Sequence, residues 1–257
     1  MKIEIKNDNV TLPITRTGEG QAIIFYNGLG STQVIWKKVI SALKGEHEII
    51  TFDFRGHGQA STAQDYSFDA FFSDADTVLK AVDVERPIIV AWSLGADIAV
   101  SYAAMNPGKI GGIVIVDGAD PVPEPLIENL DDTRKSLNKL SVKIGMLLLK
   151  LTPYRYKLSS NEFVDVVAEV DAHRSNLMDL YRKVDCPITM IMASKSMGEK
   201  DSHSRRSNRL WQEGIDQLTK AIPSISVQWI NDSHQLPFKH PVEIAQTIEN
   251  FVMRMKS

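Results

Sequence analysis

The chain has 257 residues, 43% of them hydrophobic, and a net charge of −3 with no block of like charge. That balance describes a globular protein and excludes a basic nucleic-acid surface; Arg205, Arg206 and Arg209 read as one solvated helix face. A single cysteine, Cys186, excludes an internal disulfide framework and offers no metal-ligand spacing, so it reads as a buried, inert thiol. The first residues, M-K-I-E-I-K, alternate like a strand and lack the apolar centre of a signal peptide. No apolar run approaches the length of a membrane span, and the patch 146–149 is far too short. These features lead us to expect a cytoplasmic protein with no membrane partner.

In chain order, residues 2–6 and 12–17 read as two strands joined by the turn Asn7-Asp8-Asn9. A more apolar strand, 22–26, runs into the glycine-rich loop Asn27-Gly28-Leu29-Gly30-Ser31 and then a helical pattern through Leu43. Residues 49–54 form the next strand, entering Asp53-Phe54-Arg55-Gly56-His57-Gly58. Residues 66–82 carry helical spacing with Ser67 or Asp69 as N-cap. The apolar run Ile88-Ile89-Val90-Ala91 follows, then Trp92-Ser93-Leu94-Gly95 and an alanine-rich helix. Residues 113–116 are another buried strand, ending at Asp117-Gly118-Ala119-Asp120-Pro121. Strands that are apolar throughout, alternating with helices, imply a mostly parallel sheet covered on both faces.

After the stiff connector Pro121-Val122-Pro123-Glu124-Pro125 the texture changes. Residues 126–184 show helical patterning and no strand; the β-branched run 164–170 has a strand's propensity, but its Glu and Asp spacing favours a helix. The expected organisation is an α/β core over 1–122 and 185–257, with a helical cap inserted at 123–184. Strand patterns return at 187–193 and 226–230, a helix at 205–222, and an amphipathic closing helix at 241–255 after the loop 231–240.

Residues 87–95 organise this pattern. A buried strand, a sharp turn carrying Ser93 and a following helix expose a hydroxyl above the sheet and aim free N–H groups at what it attacks. A serine hydroxyl needs a base to act as nucleophile, and His234, in a polar loop after the last strand, is the leading candidate. The rival histidines are His47, His57, His173, His203 and His240.

Four landmarks in this order resemble the α/β-hydrolase superfamily across nearly all of the chain outside the cap. They are Asn27-Gly28-Leu29-Gly30, Asp53-Phe54-Arg55-Gly56-His57-Gly58, Ala91-Trp92-Ser93-Leu94-Gly95, and Asp232-Ser233-His234 with Pro237 and Pro241. The resemblance implies the α/β-hydrolase fold with Ser93 as nucleophile, His234 as base and the Leu29 and Leu94 amides as oxyanion hole. Trp92, beside the nucleophile, would line the pocket or pack below it, and Tyr154 and Tyr156 are possible substrate contacts. The sequence departs from the family's pattern at Asn27 and Ala91, which replace the loop histidine and first elbow glycine. At the usual acid position after the post-cap strand stands Ser196. A variant of the family carries the acid one strand earlier, where Asp117 stands; Asp120, Asp201 and Glu199 are the alternatives. The implied activity is cofactor-independent and metal-free hydrolysis of a small carboxylic ester or lactone through an acyl-enzyme, by a monomer or homodimer. Carbon–carbon bond hydrolysis, perhydrolysis and a catalytically silent binding protein share the same motifs.

Overall fold

The computed structural model describes residues 1–127, 129–137, 152–153 and 155–256. The apolar patch 146–149 and Tyr154 lie outside the described residues.

Eight strands form one sheet: β1 (Lys2–Asn7), β2 (Val10–Thr17), β3 (Gln21–Tyr26), β4 (His47–Phe52), β5 (Ile88–Trp92), β6 (Gly112–Val116), β7 (Ile188–Ala193) and β8 (Ser226–Ile230). Their order is β1-β2-β4-β3-β5-β6-β7-β8. The β1–β2 and β2–β4 pairs are antiparallel, and from β4 to β8 every pairing is parallel. The helices are α1 (Lys37–Ala42, continuing a 3₁₀ turn at Gln33–Trp36), α2 (Phe68–Val82), α3 (Leu94–Met105), α4 (Leu130–Leu137), α5 (Ser160–Arg174), α6 (Leu177–Tyr181), α7 (Ser202–Ala221), α8 (Leu236–Lys239) and α9 (Pro241–Lys256).

The continuous apolar strands follow from burial on both faces, because successive side chains point to opposite sides. In β5, Ile88, Val90 and Trp92 face a layer containing Trp36, Val39 and the α9 residues Ile244, Ile248 and Phe251. Ile89 and Ala91 face the other layer, with Phe71 and Val78 of α2, Ile98 of α3, and Ile215 and Leu218 of α7. The single thiol, Cys186, is buried, and burial pushes its pKa up to about 11. Among the described residues no helix is long and apolar enough to cross a membrane.

Several boundaries differ from the sequence reading for local reasons. β4 ends at Phe52 because Asp53 turns out of the sheet, its carboxylate accepting from the Gln33 and Gln59 amides at 2.7 and 3.0 Å. α7 begins near residue 202 rather than 205, because Asp201 is its N-cap, accepting from the Ser204 N–H at 2.7 Å. The loop after β8 contains the short helix α8. The β-branched run in α5 is helical, fixed at its start by a reciprocal Ser159–Glu162 capping box. Between β6 and β7 the described residues form α4, α5 and α6 but no named strand, and Tyr156 makes an isolated bridge to His57.

The registers pair Tyr26 with Ala91, Trp92 with Val116, Val116 with Ile191, and Ala193 with Ile230. Five strands therefore end together, and the loops after β3, β5, β6, β7 and β8 meet at the carboxyl edge of the sheet. That edge is where open α/β sheets present their functional groups.

Candidate active site

Ser93 follows β5 directly and caps α3 with φ +55° and ψ −128°, a conformation that a non-glycine residue adopts only when its surroundings enforce it. Space for this turn is cut from neighbouring loops. A Cβ on Gly28 would lie 2.9 Å from the Ser93 Cβ, and one on Gly118 would lie 2.7 Å from the Ser93 carbonyl oxygen. These bare backbones accommodate the elbow even though Ala91 stands where a glycine is common. The Leu94 N–H belongs to the first turn of α3, where amides have no intrahelical acceptor.

The loop after β3 is held by hydrogen bonds to β4 and to the loop that follows it. Asn27, the departure from the usual histidine, is buried and donates to the Phe52 carbonyl at 2.8 Å. The Gly30 N–H donates to His57 Nε2 at 2.9 Å, which leaves His57 Nδ1 as the donor to the Arg55 carbonyl at 2.8 Å. His57 is fully buried, and burial lowers its pKa, so the neutral ring both bonds require is the favoured form. Arg55 makes a buried, two-pronged pair with Asp74, at 2.9 and 2.8 Å. Arg55, Asp74 and His57 are thus engaged in hydrogen bonds within the fold.

Of the four candidate carboxylates, one lies against His234. Asp117, at the end of β6 and fully buried, accepts from His234 Nδ1 at 2.7 Å through Oδ2. The same oxygen accepts the Ser196 hydroxyl at 2.7 Å, and Oδ1 accepts the Ala193 N–H at 2.8 Å. Ser196 Oγ is also 3.2 Å from His234 Nδ1, and the His234 N–H donates to the Ser196 carbonyl at 3.1 Å. The alternatives go elsewhere. Asp201 caps α7, Glu199 pairs with Lys195 at 2.7 Å, and Asp120 sits 3.9 Å from Arg174 Nη1. Neither Asp120 oxygen accepts a hydrogen bond from another described residue, and its burial raises the pKa well above the usual carboxylate range.

A cavity of about 390 Å³ opens over this edge and brings Ser93, His234, Leu29 and Leu94 onto one surface. Much of its remaining wall is apolar: Leu126, Phe163, Val167, Val170, Met197 and Trp211. Among the described residues an arginine and an aspartate line it, and both are already engaged. Arg174 makes a two-pronged pair with Asp97, at 3.0 Å for each bond, and Asp171 accepts the Leu126 and Ile127 N–H groups at 2.9 Å. Trp92, expected either on the pocket wall or below the nucleophile, takes the second place. Its ring is buried 5.1 Å from the His234 ring, and its Nε1 donates to the His234 carbonyl at 3.0 Å. It is not among the lining residues because its alternation in β5 points it away from the cavity. Trp211 flanks His234 at 6.0 Å and carries Arg174 over its ring. Arg174, Asp171 and Trp211 carry no local sequence signal, because their partners are all distant in the chain. Among the described residues no group of three or more His, Cys, Asp or Glu side chains is placed to hold a metal ion.

The family model for the alpha/beta hydrolase fold matches residues 21–143. A protein of Mycobacterium tuberculosis is 32% identical over 100 residues, covering 38% of this chain and 29% of its own length. The 3-oxoadipate enol-lactonase 1 of Acinetobacter baylyi is 26% identical over 98 residues, covering 38% of this chain and 37% of its own. The chain thus matches well under half the length of these curated relatives. A carboxylesterase structure from Nitrososphaera gargenis superposes with a TM-score of 0.78 at 18% identity, covering 100% of this chain and 99% of that one. With the eight-stranded sheet, the elbow after β5 and the family-model match in agreement, the chain has the α/β-hydrolase fold.

Proposed function

We propose that the protein is a cofactor-independent serine hydrolase that cleaves a small, uncharged carboxylic ester or lactone through an acyl-enzyme. Ser93 attacks the carbonyl carbon while His234 takes its proton; His234 then returns the proton to the leaving oxygen and activates the water that releases the acyl group. Asp117 holds the imidazole in the tautomer whose Nε2 is free to accept, and stabilises the imidazolium that forms. The Leu29 and Leu94 N–H groups receive the developing oxyanion. The observation that carries this reading is the 2.7 Å bond from His234 to a fully buried Asp117, with Ser93 and His234 on one apolar cavity. The enol-lactonase and carboxylesterase likenesses support the same bond class.

The test is labelling of the intact protein by a fluorophosphonate, read by mass. Stoichiometric labelling that Ser93→Ala and His234→Ala both abolish is the expected result. A folded wild-type protein that resists both this probe and a small sulfonyl fluoride would sink the reading. Activity on carbon–carbon or peroxide substrates, with none on an ester and lactone panel, would keep the nucleophile and change the reaction.

A further inference from the structure

We propose that Ser196 is a positioning residue for the acid–histidine pair: its hydroxyl acts as a strut that holds Asp117 Oδ2 against His234. The inference rests on the reading of Ser93, His234 and Asp117 as a catalytic unit. Asp117 reaches His234 from the end of β6, one strand away from the β7 loop that carries Ser196. It does so from a left-handed backbone conformation, φ +45°, that an aspartate adopts at some cost. Its carboxylate is held by three donors: the Ala193 N–H on Oδ1, and the Ser196 hydroxyl with His234 Nδ1 on Oδ2. Rotation of the carboxylate that swings Oδ2 away from the imidazole must break the 2.7 Å bond from Ser196 first.

Ser196 also fixes the other half of the pair. Its carbonyl accepts the His234 N–H, and the adjoining Lys195 N–H donates to the Asp232 carbonyl at 3.1 Å. The loops after β7 and β8 are therefore joined on either side of the histidine. The Ser196 loop is itself tied to α7 by Asn208, which accepts the Met197 N–H at 2.9 Å and donates to the Gly198 carbonyl at 2.7 Å. Buried and absent from the cavity wall, the hydroxyl touches both catalytic partners without facing substrate. Its influence passes through Asp117.

This chain of contacts predicts a kinetic pattern in the full-length enzyme. Ser196→Ala lowers kcat by about tenfold to a hundredfold, the range for losing one hydrogen bond to a charged group, and leaves KM within about twofold. Asp117→Asn alone costs about four powers of ten by analogy with other triads. Because Ser196 acts through Asp117, the double variant D117N/S196A should be no slower than D117N. Should the alanine variant not fold, the isosteric pair S196T and S196V makes the same comparison, the threonine retaining activity and the valine losing it. A readout independent of turnover is the deshielded His234 Nδ1 proton in the NMR spectrum, whose resonance shifts in S196A while Ser93→Ala leaves it in place. That readout separates failure of this proposal from failure of the hydrolase reading, which the fluorophosphonate test addresses. Wild-type kcat in S196A or S196V, an unmoved Nδ1 resonance, or a full additive loss in the double variant would overturn the proposal.

Discussion

His57 shows how a single buried ring fixes both a loop and a pH limit. Its Nε2 accepts the Gly30 N–H and its Nδ1 donates to the Arg55 carbonyl, so a proton on Nε2 removes the acceptor that holds the glycine-rich loop after β3. Burial is the main cause of its lowered pKa, opposed in part by the Arg55 carbonyl. In the unfolded chain the ring titrates near 6.5; below that pH the unfolded state binds a proton that the native ring refuses. The contribution of His57 to stability is therefore complete above pH 6.5 and is lost as the pH falls, by up to about 1.4 kcal/mol per pH unit. Urea denaturation of wild type and His57→Gln from pH 7.5 to 5 checks this; the variant should show the flatter dependence, and parallel curves would refute it. The same residue marks what the sequence can tell. Its place inside the Asp53–Gly58 turn favours a structural role, yet the partner on Gly30 is invisible without the fold. Ser93 and His234 announce themselves by local context, an elbow and a loop after a strand. Asp117 does not, because the choice among four carboxylates depends on which strand ends beside β7. Ser196 reads only as a missing acid until the hydroxyl is seen on Asp117.

At the level of elements, the pair between Arg174 of α5 and Asp97 of α3 fastens the segment after β6 to the elbow helix. Both side chains are buried, at 8% and 0% exposure, so each relies on the other for the solvation it has lost. Removing one partner leaves an uncompensated buried charge, which typically costs about 3–5 kcal/mol. Arg174→Ala should lose stability on that scale in urea unfolding. Asp97→Asn combined with Arg174→Met should recover most of it, because an uncharged pair needs no compensation. A loss under about 1 kcal/mol in Arg174→Ala would show that water replaces the guanidinium and that the pair does not fasten α5. Most elements were legible from periodicity, because strands buried on both faces read as apolar runs and amphipathic helices as spaced ones. The limits were set by side chains whose partners lie far along the chain: Asp53 ends β4 early, and Asp201 starts α7 early. The Arg174–Asp97 pair spans 77 positions and has no signature in either local segment.

Over the whole molecule, the parallel arrangement from β4 to β8 gathers loops from most of the chain onto one edge. The cavity is assembled from three stretches: Leu29 and Leu94 from the first part of the core, Phe163, Val167 and Val170 from the segment after β6, and Trp211 and His234 from the last part. Its charges are spent internally, Arg174 on Asp97 and Asp171 on two backbone amides. A substrate carboxylate would find no unengaged arginine or lysine among the described lining residues and would have to approach Asp171, whereas an alkyl or aryl group would meet leucine, valine and aromatic surface. Each methylene moved from water onto that surface contributes about 0.8 kcal/mol, or about fourfold in kcat/KM if its contact persists in the transition state. Over p-nitrophenyl acetate, butyrate and hexanoate, kcat/KM should therefore climb steeply, and the hemisuccinate ester should fall well below the butyrate. The trend depends on the apolar wall, so Val167→Asp should flatten it while leaving acetate turnover within about threefold. A profile that is flat from the acetate onward, or a hemisuccinate preferred over the butyrate, would contradict an apolar acyl site. It would then direct attention to Arg174 exchanging Asp97 for the substrate when the cavity is filled.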